Sequence, residues 1–179
     1  HARTDIREPN ATEAQVQAAL DWNTTAWPGE HYRSAVMAAV RAGVPVVGGN
    51  LPQPQLRAAM QAPGYASLFA AQAWQGHIEA IRAGHCNMLP PAQLEPMARA
   101  QVARDLEMAS TLLSEARPTR VQGKTVVLLA GSGHLDPLLG VPFQLQRIAP
   151  DMPVRIKVWP REDTGQDYCA QFKQQMQHM

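Results

Sequence analysis

Apolar residues recur every three or four positions through most of this chain, and only three short stretches break that rhythm. Tyr32, Val36, Ala39 and Val40 mark one face of a helix read from Glu30 to Ala42 and closed by Gly43. A shorter helix, Glu13–Leu20, follows Thr12, whose hydroxyl suits an N-cap. Gln55–Gln61 and Ala66–Arg82 read as helices parted by Pro63-Gly64. The longest runs from Ala92 to Ala116. On it Leu94, Ala98, Val102, Leu106, Ala109 and Leu113 form one apolar stripe. Met97, Gln101, Asp105, Met108 and Leu112 form a neighbouring one. Gln101 and Asp105 thus share a face bordered by methionines, where a carboxylate needs a partner. His85, at the helix entrance, is one candidate. Helices from Gly140 to Ile148 and from Tyr168 to the C-terminus complete the set.

The three exceptions read as strands. Val44–Gly48 and Lys124–Ala130 are short and continuously apolar, as buried parallel strands are. Val154–Trp159 alternates and suits an edge. Helix, glycine, strand and polar loop in succession predict an α/β fold, a parallel sheet flanked by helices with a smaller helical subdomain. Residues 1–52 and 84–179 would form the sheet domain, with some N-terminal strands lacking, and 53–83 the helical subdomain. Ligands in such folds sit at strand C-termini. That points to Gly49 and Asn50, and to Gly131-Ser132-Gly133-His134, where His134 is the stronger functional candidate.

Composition narrows the classes. The 179 residues are 45% hydrophobic and 17% charged, with net charge +1, which is globular and shows no basic stripe for nucleic acid. No apolar run approaches the roughly 20 residues of a membrane span. Two cysteines, Cys86 and Cys169, would be free thiols in a reducing compartment and candidates to pair in an oxidising one. No Cys-x-x-Cys, Gly-x-Gly-x-x-Gly, Walker loop or His-Glu-x-x-His occurs, and Gly131-Ser132-Gly133 does not fit a nucleophile elbow. Trp22 and Trp27 read as packing at the domain edge. The chemistry that remains is scattered: His77, Glu79, His85, Asp105, His134 and three tyrosines. Such a set suits a metal, a haem, or nothing.

Longer motifs say more. Gly-His-Cys-Asn-Met-Leu-Pro at 84–90, Met-Ala-Arg-Ala-Gln at 97–101, Ala-Gly-Ser-Gly-His at 130–134 and Gly-Val-Pro at 140–142 lie in order. So do Ala-Leu-Asp-Trp at 19–22, Gly-Val-Pro-Val-Val at 43–47 and Asn-Leu-Pro at 50–52. Together they resemble the ChaN family of haem-binding, iron-regulated lipoproteins over nearly the whole chain. The resemblance implies haem as cofactor, held between two protomers of a homodimer, and an accessory role beside an outer-membrane haem receptor. It also implies a bacterial outer-membrane lipoprotein rather than an enzyme. One tyrosine would ligate iron, while histidine and a basic residue would meet the propionates, as phenolate suits ferric iron. Tyr65 is the expected ligand because it lies in the helical segment. Tyr32 reads as core and Tyr168 as structural. His77, His85 and His134 are the expected further contacts. Two departures stand out: a Gly-Glu-x-His-type motif expected in a preceding strand region is absent, and Leu135-Asp136-Pro137 stands where a basic residue is usual. The alternatives are a metal-dependent hydrolase using His85, Asp105 and His134, and a non-catalytic interaction domain.

Overall fold

The computed structural model describes residues 5–23, 32–116, 125–159, 165 and 167–177, with side chains as far as Gln174. Expectations for Trp27, for the helix start at Glu30, for the 117–124 connection and for most of the 163–165 loop fall outside those residues. The chain divides into two compact units, His1–Gly49 and Asn50–Met179.

In the first unit, strand β1 (Asp5–Ile6) pairs antiparallel with β2 (Val46–Val47), in register Asp5↔Val47 and Ile6↔Val46. Helix α1 (Glu13–Ala19) begins at Thr12 as its sequence requires. The Thr12 hydroxyl accepts from the Gln15 amide, and the Gln15 side chain accepts from the Thr12 amide at 2.8 Å. Helix α2 (Arg33–Arg41) stops at Gly43, whose φ of +68° places it in the left-handed region. Val16, Met37 and Val40 form the core of this unit, with Ile6, Leu20, Val36 and Val46 against it.

The second unit is organised on α5 (Pro91–Glu115). Pro91 opens it, where a missing N–H costs nothing. Helix α3 (Gln53–Gln61) packs against it and is pinned by Arg99 Nε, which donates to the Met60 carbonyl at 2.8 Å. A 3-10 turn (Pro63–Leu68) and α4 (Ala71–Gly84) follow. The early half of α5 buries Leu94, Ala98 and Val102 against Trp74, Ile78 and Ile81 of α4. Its later half buries Met108 and Ala109 against Val141 and Leu145 of α6 (Val141–Ile148). Helix α7 (Tyr168–Gln177) is tied to the α4–α5 turn by a Cys86–Cys169 disulfide. No helix among the described residues is long and apolar enough to cross a membrane.

The expected α/β architecture, with its parallel sheet flanked by helices, is overturned. The structure is 59% helix, and among the described residues the one sheet is the two-stranded antiparallel β1–β2 pair. Of Val44–Gly48 only Val46 and Val47 pair, and Val154–Trp159 joins no ladder among the described residues. Thr125–Ala130 keeps the alternation of a strand: Val126, Leu128 and Ala130 are half-buried, and Val127 and Leu129 are 80% and 50% exposed. It has no hydrogen-bonded neighbour strand among the described residues. Apolar runs report local β-preference and burial, but a sheet requires partners that local pattern cannot supply. The single helix read over Ala66–Arg82 is also two elements, because Pro63-Gly64 starts a 3-10 turn that ends at Leu68 and α4 restarts at Ala71.

Candidate functional site

Five polar side chains are buried among the described residues, all in the second unit: His77, Asp105, Thr111, His134 and Gln144. Three belong to or face α5, and the others stand on α4 and α6, which pack against it. A concentration of buried polar groups in so apolar a junction calls for a function or a partner for each.

Asp105 finds its partner in His134. The apolar flanks of α5 bury the carboxylate to 1% exposure, and the turn Ser132–His134 brings His134 Nδ1 to 2.5 Å from Asp105 Oδ1. Gln101, one helical turn before Asp105, places its amide 3.0 Å from the same nitrogen. The face shared by Gln101 and Asp105, legible as periodicity, is therefore the face that meets the glycine-histidine turn. His134, not His85, is the partner. Burial pushes the Asp105 carboxyl above the ordinary carboxylate value. The His134 hydrogen bond, the His134 charge and the neighbouring Arg104 pull it back. The turn itself is held tightly: the Asp136 carboxylate accepts from the amides of Leu138 and Leu139 at 2.8 and 3.1 Å, and Gly140 N–H donates to the Asp136 carbonyl at 2.8 Å.

His77 lies on α4, 3% exposed, edge-on to Phe69 with centroids 4.4 Å apart and beside Trp74. Phe69 in turn stacks on Phe143 of α6. Within this aromatic enclosure Nε2 of His77 has no hydrogen-bond partner. Burial lowers its pKa from the ordinary 6.5, with Asp136 opposing. The native state thus holds His77 neutral while the unfolded chain protonates it. Its contribution to stability is complete above pH 6.5 and is lost as the pH falls toward the depressed native value. His77→Phe should therefore flatten the stability profile between pH 7 and 5, read by urea denaturation at each pH. An unchanged slope in the variant would disprove the assignment.

Tyr65 sits in the 3-10 turn, half-buried against the Trp74–Ile78–Leu94 cluster. Its hydroxyl makes no hydrogen bond among the described residues. His85 has a structural task already: Nδ1 donates to the Ile81 carbonyl at 2.7 Å at the end of α4, and its ring meets Phe172 of α7 edge-on. Tyr168 stacks on Phe172 and donates weakly to the Gly84 carbonyl at 3.5 Å. Tyr32 packs beside Trp22 in the first unit. The structure thus brings His134 to Asp105 and Gln101, sets His77 among aromatics, and places His85 at the other end of α4. Asp105 and Gln101 were visible on one helix face, and Asp105 as a candidate in the hydrolase alternative, but not their joining to His134, which lies 29 and 33 positions away.

Among the described residues no three His, Cys, Asp or Glu side chains gather as a metal site. A haem asks less, since its ring nitrogens supply four ligands and the protein adds one or two. A half-buried phenol with an unengaged hydroxyl, set in apolar surroundings, fits that demand.

A family model described as haem-binding uptake, Tiki superfamily, ChaN, matches residues 4–145. The match spans well over half of the sequence, and the chain belongs to that family. No curated protein matches the chain, and neither does any solved structure.

Proposed function

We propose that this member of the ChaN haem-binding uptake family is an accessory lipoprotein of bacterial haem acquisition, with Tyr65 as the iron ligand. The observation that carries the reading is the Tyr65 hydroxyl, unengaged on a half-buried apolar turn. An oxygen donor of this kind suits ferric iron, which bound haem would supply. Apolar neighbours Ala66, Leu68 and Phe69 suit the face of a porphyrin. His134 and His85 are the further contacts. His77, set beside Phe69 and Trp74, is the remaining candidate contact. In this reading haem lies between two copies of the chain, and an outer-membrane receptor is the partner.

The Cys86–Cys169 bridge supports a location in the cell envelope, since such bridges persist in oxidising compartments.

Haem titration followed by absorption tests the reading. Saturable binding with a high-spin ferric tyrosinate spectrum is expected, together with dimer formation on size exclusion. Tyr65→Phe should abolish the tyrosinate signature while leaving the fold intact by circular dichroism. The same spectrum in the variant would remove Tyr65 as ligand.

A further inference from the structure

We propose that residues 154–159 are a docking edge at which an extended segment of a partner protein adds as a β-strand, with acidic side chains of that segment facing Arg155 and Lys157. The inference stands apart from the haem site and does not depend on what that site binds.

The starting observation is main chain without partners. Among the described residues no hydrogen bond reaches the main chain of 125–130 or of 154–159. Backbone N–H and C=O groups are strong donors and acceptors, and a run of them left open outside a helix is a template for another strand. Both segments spring from one core: Leu128, Ala130 and Met152 pack on the cluster of Met108, Ala109, Val141 and Leu145. The residues beyond that core are left uncovered. Val127 is 80% exposed, Val158 56% and Trp159 69%. Segment 125–130 still turns one set of side chains inward, whereas 154–159 is exposed at every position. Of the two, 154–159 is therefore the segment with both its main chain and its apolar side chains free to be covered.

Charge selects the occupant. Val154, Ile156 and Val158 alternate with Arg155 and Lys157, so pairing as a strand sends the apolar set to one face and both cations to the other. Neither cation meets a carboxylate among the described residues, and Lys157 lies over the Trp159 ring at 4.5 Å. A second copy of this chain is a poor occupant. Antiparallel self-pairing about Ile156 sets Arg155 of one copy opposite Lys157 of the other, and parallel in-register pairing sets each cation against itself. A lipid surface would suit Trp159 and the cations, but it offers the open main chain no partner. A segment in which apolar and acidic residues alternate satisfies the main chain, the apolar face and the two cations together.

The test uses the whole protein and two synthetic peptides, one alternating valine with glutamate and one alternating valine with lysine. The glutamate peptide should bind and slow hydrogen exchange at the amides of 154–159, and the lysine peptide should not. Reversing both cations, with Arg155→Glu and Lys157→Glu, should weaken the glutamate peptide by about 10-fold and admit the lysine peptide. Ile156→Pro removes a main-chain donor from an exposed position, and it should also weaken binding while circular dichroism stays unchanged. Binding without protection of 154–159, or binding indifferent to the charge reversal, overturns the proposal. So does a wild-type protein that binds neither peptide, one that takes up anionic phospholipid vesicles through these residues in place of the peptide, or a dimer that Ile156→Pro dissolves. Haem titration of the same variants should match the wild type, so that failure of the haem reading and failure of this one are seen separately.

Discussion

Removing the Cys86–Cys169 bridge should cost this protein about 4 kcal/mol, the largest single loss expected from any side-chain change outside the core. The bridge closes a loop of 83 residues, and the entropy removed from the unfolded chain grows with that length. Helix α7 also meets the α4–α5 turn through the edge contact of Phe172 on His85 and the weak Tyr168 hydrogen bond to the Gly84 carbonyl. Cys86 and Asn87 also sit at φ of +55° and +58°, a left-handed conformation that costs a side chain about 1 kcal/mol or more. The cross-link helps hold that turn. The double variant Cys86→Ser with Cys169→Ala should accordingly lose about 4 kcal/mol in urea denaturation. Cys86→Gly with Cys169→Ala should lose about 1 kcal/mol less, because glycine accepts the positive φ. A reduced protein as stable as the oxidised one would show that the bridge contributes nothing.

Gly140→Ala should be almost as damaging, at about 3 kcal/mol. A Cβ there would overlap the His134 carbonyl oxygen, lie 2.7 Å from its carbon and 3.0 Å from the Asp136 oxygen. All three are main-chain atoms and cannot rotate away. The turn must open, breaking the Gly140 N–H bond to Asp136 and pulling His134 from Asp105. An Asp105 left without its partner is a buried carboxylate in apolar surroundings, which adds to the cost. Gly133→Ala in the same turn meets nothing within 4 Å and should change stability by less than about 0.5 kcal/mol. Urea midpoints of the two variants decide the point: equal values would mean that the close approach at Gly140 is unimportant.

Much of this architecture is legible along the chain. The helix starts at Thr12 and at Pro91, and the stop at Gly43, are local events written in capping residues and backbone freedom. The stripes of α5 follow from its period alone, and so does the placing of Gln101 and Asp105 on one face. Family membership also came from sequence, because motif order and spacing survive without knowledge of contacts.

What sequence could not decide was everything that needed a partner. Val126–Ala130 alternates as a strand should, yet no neighbouring strand accompanies it among the described residues, and the expected parallel sheet is replaced by helices packed on α5. Asp105 needed a partner by electrostatics, but only the tertiary structure chose His134 over His85. Cys86 and Cys169 were candidates to pair, and the approach of α7 to the α4–α5 turn settled it. Periodicity and capping are properties of neighbours in the chain. Pairing, burial and the joining of a carboxylate to a histidine are properties of neighbours in space, which only the packing of distant helices creates.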